Sequence, residues 1–170
     1  MPQIPPPRRR LTPGPPPITP PGLDEIDLQL LAVLQADGRR SLAALAREVG
    51  IAESTCAGRV RALSERGIVQ GYHAQLDAAR LGRGVEAMVA LRMSGHDRDT
   101  VEAFRDEVSQ VPGVLAVYNT SGATDYLVHV ATSGSDALRT FVLDHLSSRP
   151  GVVHAETTLI FESTRGRGIL

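Results

Sequence analysis

Residues 39–66 concentrate the groups of this sequence that could bind a polyanion. Arginine occupies six positions of this span, Arg39, Arg40, Arg47, Arg59, Arg61 and Arg66. Only three glutamates oppose them, so the span has a net charge of +3 in a chain whose net charge is -1. Ser54 and Thr55 add hydroxyl groups nearby. Guanidinium and hydroxyl groups bind phosphate oxygens and base edges of DNA. The pattern therefore favours a nucleic-acid contact, with a solvated charged face as the alternative.

A second candidate site is the polar segment Asn119–Tyr126. Gly122 can expose backbone amides, and Asp125 places a carboxylate beside an aromatic residue. Backbone amides and a carboxylate together could bind the carboxylate and the ammonium of a small zwitterion. The alternative interpretation is a capped β-hairpin that binds no ligand.

The sequence contains no pattern that predicts catalysis. There is no glycine-rich phosphate loop and no nucleophile elbow. The five histidines show no metal-ligand spacing with one another or with the single cysteine, Cys56; they are His73, His96, His129, His145 and His154. We therefore expect no catalytic residue, no metal and no cofactor. A composite metal or tetrapyrrole site remains an alternative, because His129 and His154 both lie in predicted strands.

Three helices are predicted to position the arginines. Apolar residues recur at helical spacing in three successive segments, which begin at the N-cap candidates Asp24 and Ser41 and at Glu53. The second and third helices are joined by a three-residue turn that contains a glycine, which is typical of a helix-turn-helix. Residues 68–74 predict a short strand where a wing would lie. We therefore expect a winged helix-turn-helix domain over residues 23–75, with Cys56 as a small buried hydrophobe.

The second half of the chain predicts a βαββαβ order after a linker at residues 76–84. Strands are expected at 85–93, 114–119, 126–131 and 152–161, with amphipathic helices between the first two and the last two. Each helix is followed by the same phrase, Val111-Pro112-Gly113-Val114 and Arg149-Pro150-Gly151-Val152. Two such halves predict a ferredoxin-like domain over residues 85–163, so the fold class is α+β. The first strand is nearly continuous in apolar residues and is expected to be buried on both faces. The open sheet face should pack against a second copy of the chain.

Composition limits the remaining alternatives. Residues 1–22 hold ten of the twelve prolines, which predicts a disordered or polyproline-like tail, and 164–170 form a short C-terminal tail. The near-neutral net charge excludes a binder that works by bulk charge. No apolar run approaches the roughly 18 residues of a membrane helix, and the N-terminus lacks the apolar run that is typical of a signal peptide. We expect a cytoplasmic protein with no membrane partner.

Taken together, several motifs resemble those of the Lrp/AsnC family, the leucine-responsive or feast/famine transcriptional regulators. The resemblance covers about residues 23–165. The matching segments of the first domain are Leu23–Asp27, Leu34–Arg39, Leu45–Ile51, Cys56–Leu63 and Gly67–Tyr72. Those of the second are Ser121-Gly122, Asp125-Tyr126-Leu127 and Leu146–Val152.

The resemblance implies a sequence-specific regulator with an N-terminal helix-turn-helix and a C-terminal ligand-sensing domain. Family members form dimers that assemble into octamers or other multimers, with an amino acid or related metabolite bound between dimers near the central-strand loop. It implies double-stranded DNA as a partner of Ser54, Thr55 and Arg59, to which the charge pattern adds Arg39, Arg40 and Arg61. It places Ser121, Gly122, Asp125 and Thr158 near the effector, with Ala123 in the same loop.

The sequence departs from the family pattern at several positions. Ala123 replaces an acidic residue that often follows the loop glycine, and Thr124 replaces the aromatic residue after it, so the effector could differ from an amino acid or be absent. Ala52 replaces the usual serine or threonine cap of the recognition helix, and Gly58 lies within that helix. Two alternatives share this architecture. One is a tetrapyrrole enzyme similar to siroheme decarboxylases, and the other is a sensor or assembly protein that no longer binds DNA.

Overall fold

The structure is a computed structural model that describes residues 21–95, 98–164, 166, 168 and 169, and only the backbone of residues 98–101. Most of the predicted tail at residues 1–22, and His96, therefore lie outside the described residues. The chain divides into two compact units. The first takes in the described residues up to Ala74 together with those beyond Thr164, and the second is Gln75–Thr164.

The first unit contains the three predicted helices. They are α1 (Glu25–Ala36), α2 (Leu42–Val49) and α3 (Glu53–Glu65). Asp24 caps α1 in a capping box with Asp27, and the hydroxyl of Ser41 accepts a hydrogen bond from the amide of Ala44 at the start of α2. Gly50 ends α2 with φ of 76°, a left-handed conformation that glycine adopts without steric cost. Helix α2, the turn after it and helix α3 form the predicted helix-turn-helix.

Apolar side chains from all three helices form the core of this unit. The buried members are Leu30, Leu45, Ala46 and Cys56. Burial raises the pKa of the Cys56 thiol, and the nearby charge of Glu53 raises it further. Cys56 is therefore a protonated core residue, as the sequence predicts.

The predicted wing strand at residues 68–74 is wrong. No strand forms there, because a strand requires a paired neighbour and the first unit has no strand among its described residues. Instead, the amides of Ile68 and Val69 both donate to the carbonyl of Leu63, so the chain folds back onto the end of α3. Tyr72 remains 51% exposed.

The second unit has the predicted βαββαβ order. Its elements are β1 (Val85–Met93), α4 (Arg98–Ser109), β2 (Val114–Asn119), β3 (Tyr126–Thr132), α5 (Ser135–Phe141), a π-helical continuation (Val142–Ser147) and β4 (Val152–Ile160). The strands form one antiparallel sheet in the order β2-β3-β1-β4. None of the described helices is long and apolar enough to cross a membrane.

One face of the sheet forms the core with both helices, because Phe104 and Val108 of α4 and Leu138 of α5 pack in a single cluster with β1 and β3. The expectation that β1 is buried on both faces is wrong. Its burial alternates, with Ala87, Val89, Leu91 and Met93 buried and the residues between them partly or fully exposed. Both helices cover the same face, so a single chain leaves the other face open.

The first of the two repeated phrases forms a tight reversal before β2. Gly113 has φ of 108°, and a Cβ atom there would lie 2.7 Å from the guanidinium of Arg83 and 3.1 Å from the carbonyl oxygen of Ala131. That carbonyl accepts a hydrogen bond from Arg83, and the amide of Ala131 donates to the carbonyl of Gly113. The glycine thus permits the close approach of loop and strand.

Candidate DNA-binding surface and effector loop

Helix α3 has an apolar side and a polar side. Cys56 and Leu63 lie in the protein interior, whereas Ser54, Thr55 and Arg61 are exposed on the other side. Arg61 forms no ion pair with any residue that the structure describes. The helix therefore presents two hydroxyls and one guanidinium to solvent, the groups that the sequence assigns to DNA.

Arg59 has intramolecular partners that the sequence did not predict. Its Nη1 donates to Oδ2 of Asp24 at 2.7 Å and to Oδ1 of Asp27 at 2.9 Å, and its side chain is only 31% exposed. The pKa of Asp24 is lowered, first by the backbone amide of Asp27 and then by Arg59. The pKa of Arg59 is raised by the same carboxylates. Arg59 thus connects α3 to the capping box of α1, and its contact with DNA stays a prediction.

The remaining arginines divide into paired and unpaired groups. Arg40 forms ion pairs with Glu48 and Asp37, and Arg66 donates to the carbonyl of Gly22 at 2.9 Å. Arg39 and Arg47 are exposed and form no ion pair within the described part of the chain. The candidate list from the sequence leaves out Arg47. Its position two residues after the buried Leu45 could have indicated an outward-facing side chain.

The polar loop between β2 and β3 is an internally bonded hairpin with an exposed tip. The amide of Thr120 donates to the carbonyl of Asp125 at 2.9 Å, and the Thr120 hydroxyl donates to the carbonyl of Thr124 at 2.7 Å. Oδ2 of Asp125 accepts from the amide of Met93 at 2.7 Å. These bonds are those of the capped hairpin. The tip residues Ser121, Gly122 and Ala123 are exposed, so a ligand could still reach their backbone.

Thr158 lies apart from this loop within one chain. It pairs with Met88 on the open face of the sheet, and β4 is two strands away from β3. The open face also carries a hydrogen-bonding contact between His129 and Glu86, whose Nε2 and Oε2 atoms are 3.0 Å apart. A site that combines Thr158 with the loop would therefore need a second subunit.

The described residues contain no group of three or more histidine, cysteine, aspartate or glutamate side chains placed to hold a metal ion. His129 lies opposite Met88 of β1, and His154 lies opposite Arg92. Four residues along a strand span roughly 13 Å. The two strand histidines of the composite alternative are thus too far apart to share one metal within a chain.

Comparison with known proteins gives a consistent result for both units. Residues 23–64 match the AsnC-type helix-turn-helix domain, and residues 86–169 match the Lrp/AsnC ligand binding domain. The HTH-type transcriptional regulator AldR of Mycolicibacterium smegmatis is 39% identical over 144 residues, which cover 85% of this chain and 84% of that protein.

Solved structures agree in fold over the same part of the chain. The crystal structure of MtbAldR has a TM-score of 0.71 at 35% identity, and the match covers 85% of this chain and 98% of that one. A transcriptional regulator of Neisseria meningitidis in complex with L-Met has a TM-score of 0.79 at 31% identity, covering 87% and 96%. With these similarities over both domains, the chain belongs to the Lrp/AsnC family of helix-turn-helix transcriptional regulators.

Proposed function

We propose that this chain is a sequence-specific DNA-binding regulator that acts as a homo-oligomer and responds to an amino acid or a related small metabolite. The observation that carries the proposal is the exposed polar side of α3, opposite a side anchored in the core. A helix of this motif enters the major groove with its N-terminal residues at base edges. In this proposal the DNA-binding domain, here called the reading head, is formed by residues 23–75. The linker is formed by residues 76–84, and the effector domain by residues 85–163.

On the reading head, Ser54, Thr55 and Arg61 contact DNA from α3, while Arg39 and Arg47 bind phosphate. Arg40 and Arg59 contribute only where they exchange their carboxylate partners for phosphate. Three unpaired arginines per head predict a slope of about -3 in log affinity against log salt concentration, and about -5 for two heads. Two heads should read half-sites about one helical turn apart, on the order of 10 bp.

Fluorescence anisotropy with fragments from upstream of its own gene tests this proposal. Arg61→Ala should weaken binding and reduce the salt slope by about one per head. Arg80→Ala is the matched control, because Arg80 is 89% exposed and lies outside the reading head. Weak binding that does not depend on sequence would refute the regulator proposal. Unchanged binding by Arg61→Ala would remove that residue from the contact set.

The effector part of the proposal draws on the L-Met complex of the Neisseria meningitidis relative. In this chain the exposed loop backbone at Ser121, Gly122 and Ala123, together with Asp125, would hold the ligand. Thr158 would be supplied by another subunit. The open sheet face, with Met88 and Leu127 upon it, favours dimers that pack face to face and assemble further, up to octamers.

Thermal-shift screening against the amino acids tests the effector. We expect at least one amino acid to raise the melting temperature of the full chain. Gly122→Val should abolish that shift, and it should also lower the melting temperature of the free protein, because Gly122 has φ of 112°, which strains a β-branched residue. No shift with any amino acid would mean that the effector differs from an amino acid or is absent, as Ala123 suggests. An absorbance titration with haem separates this function from the tetrapyrrole enzyme, which would give a saturable spectral change.

A further inference from the structure

The second unit contains a cavity of about 350 Å³ on the helical side of the sheet. It lies between β4 and the helix that changes from α to π geometry. The residues that line it are Ser135, Leu138, Arg139, Val142, Leu143 and Thr157. None of them belongs to the loop between β2 and β3. The volume lies within the range of about 300–1,000 Å³ that is typical of small-molecule pockets.

The fold leaves this cavity open for two reasons. β4 is an edge strand, so no further strand covers the groove beside it. The helix continues as a π-helix at Val142, and the wider π turn changes the direction of the side chains that follow. Leu143 is consequently 52% exposed at the cavity. Leu138, which lies five residues earlier, is buried. Short π-helical segments often accompany functional sites.

The position of Thr157 supports a polar ligand group in the cavity. Thr157 pairs with Val89, which is fully buried in the core, so both side chains project from the helix-covered face. Thr157 itself is exposed, because the cavity lies over it. The lining thus offers the hydroxyls of Ser135 and Thr157 beside the apolar groups of Leu138, Val142 and Leu143.

The charge of the lining selects the ligand class. Arg139 is its only charged residue, and it forms no ion pair with any residue that the structure describes. A guanidinium binds a carboxylate through two parallel hydrogen bonds. The lining supplies no carboxylate for an ammonium group, so a zwitterionic amino acid would leave that charge without a partner.

We infer that this cavity is a second small-molecule site of the protein, for an aliphatic carboxylate that lacks an ammonium group. Arg139 binds the carboxylate, the hydroxyls of Ser135 and Thr157 complete its polar contacts, and the leucine and valine side chains enclose the aliphatic part. Fatty acids and 2-oxo acids share this chemistry. The site differs from the proposed amino-acid site at Gly122 in both place and charge.

Isothermal titration of the full chain without DNA tests the inference. The probes are 4-methylpentanoate, 4-methyl-2-oxopentanoate, L-leucine and 4-methylpentanamide. We expect at least one of the two ammonium-free acids to bind, with the stronger one identifying the fatty-acid or the oxo-acid class. The neutral amide should bind at least about tenfold more weakly than the acid, because it lacks the charge that Arg139 recognises. Any binding of L-leucine is expected at the loop, so Gly122→Val should remove it.

Variants locate the binding. Arg139→Gln should lower the affinity for the acid by about tenfold or more, whereas the control Arg80→Gln should leave that affinity unchanged. Leu143→Trp should block the cavity. Because Arg139 and Leu143 are both exposed, the two variants should retain the fold. Absence of saturable acid binding up to about 10 mM, or equal binding by Arg139→Gln, would overturn the inference. Neither result affects the DNA or amino-acid assays, so the proposed function would stand or fall separately.

Discussion

The recognition helix α3 lacks two ordinary sources of helix stability, and restoring them gives a quantitative prediction. Ala52 is its N-cap and provides no side-chain hydrogen bond, although its backbone angles of -67° and 146° are those that a capping serine adopts. Gly58 lies within the helix and is exposed. We predict that Ala52→Ser and Gly58→Ala each stabilise the first unit.

The structure sets the size of the two effects. A serine cap contributes about 1 kcal/mol, and alanine in place of an interior glycine contributes about 1 kcal/mol. A Cβ atom at Gly58 would meet no atom within 4 Å, so no steric cost offsets the gain. The two positions share no partner, so the double variant should gain about 2 kcal/mol. For a unit of this size, each kcal/mol corresponds to about 4–8 °C in melting temperature.

Urea unfolding of the full chain followed by circular dichroism measures the gain, and native-state hydrogen exchange of the α3 amides assigns it to this helix. Gly50→Ala is the matched control. It makes the same chemical change in the same motif, but Gly50 has φ of 76°, where alanine costs about 1–2 kcal/mol. The two alanine variants should therefore shift stability in opposite directions.

DNA binding provides a second measurement on the same variants. If the missing side chain of Gly58 lets the backbone approach DNA closely, Gly58→Ala should raise stability and lower DNA affinity. Ala52→Ser should raise stability without lowering affinity. A loss of stability in Gly58→Ala, or no change in the exchange of α3 amides, would refute the reasoning, because the free space seen at Gly58 would then not exist in solution.

Three further predictions concern the framework. Leu30→Ala should cost about 2–5 kcal/mol in urea unfolding, since Leu30 is fully buried among the three helices; a smaller loss would mean that the core repacks. Gly113→Val should cost more than about 1–2 kcal/mol, because its positive φ and the 2.7 Å approach to Arg83 both oppose a side chain; near-wild-type stability would contradict the turn geometry. The lowered pKa of Asp24 means that its ionised form stabilises the fold fully above about pH 3.8, and that this contribution is lost as the pH falls through the folded-state pKa. Asp24→Asn should therefore lose less stability than the natural protein on acidification from about pH 5 to 3, and parallel pH profiles would show that neither the amide of Asp27 nor Arg59 lowers the pKa of Asp24.

Sequence reasoning succeeded where the determining interactions are local. Asp24 and Ser41 cap their helices through bonds that span three residues, and the four strands of the second unit follow from short apolar runs. It failed at residues 68–74, where apolar residues are present but no strand lies alongside. A β-strand depends on its neighbour, and the sequence of the segment alone does not supply that information. The burial of β1 was overestimated for a related reason, because its second face has no cover within one chain.

The availability of the arginines on the candidate DNA surface also depends on residues distant in the sequence. The sequence counts six arginines, yet their availability depends on partners that local patterns do not reveal. Arg59 pairs with Asp24, 35 residues earlier, and Arg66 bonds to the carbonyl of Gly22, 44 residues earlier. The acidic start of α1 and the basic recognition helix therefore belong to one bonded network, so the count of six arginines overstates the number available to bind phosphate. Arg39, Arg47 and Arg61 remain exposed and unpaired in the described part of the chain. Their number, rather than the composition, sets how strongly salt should weaken DNA binding.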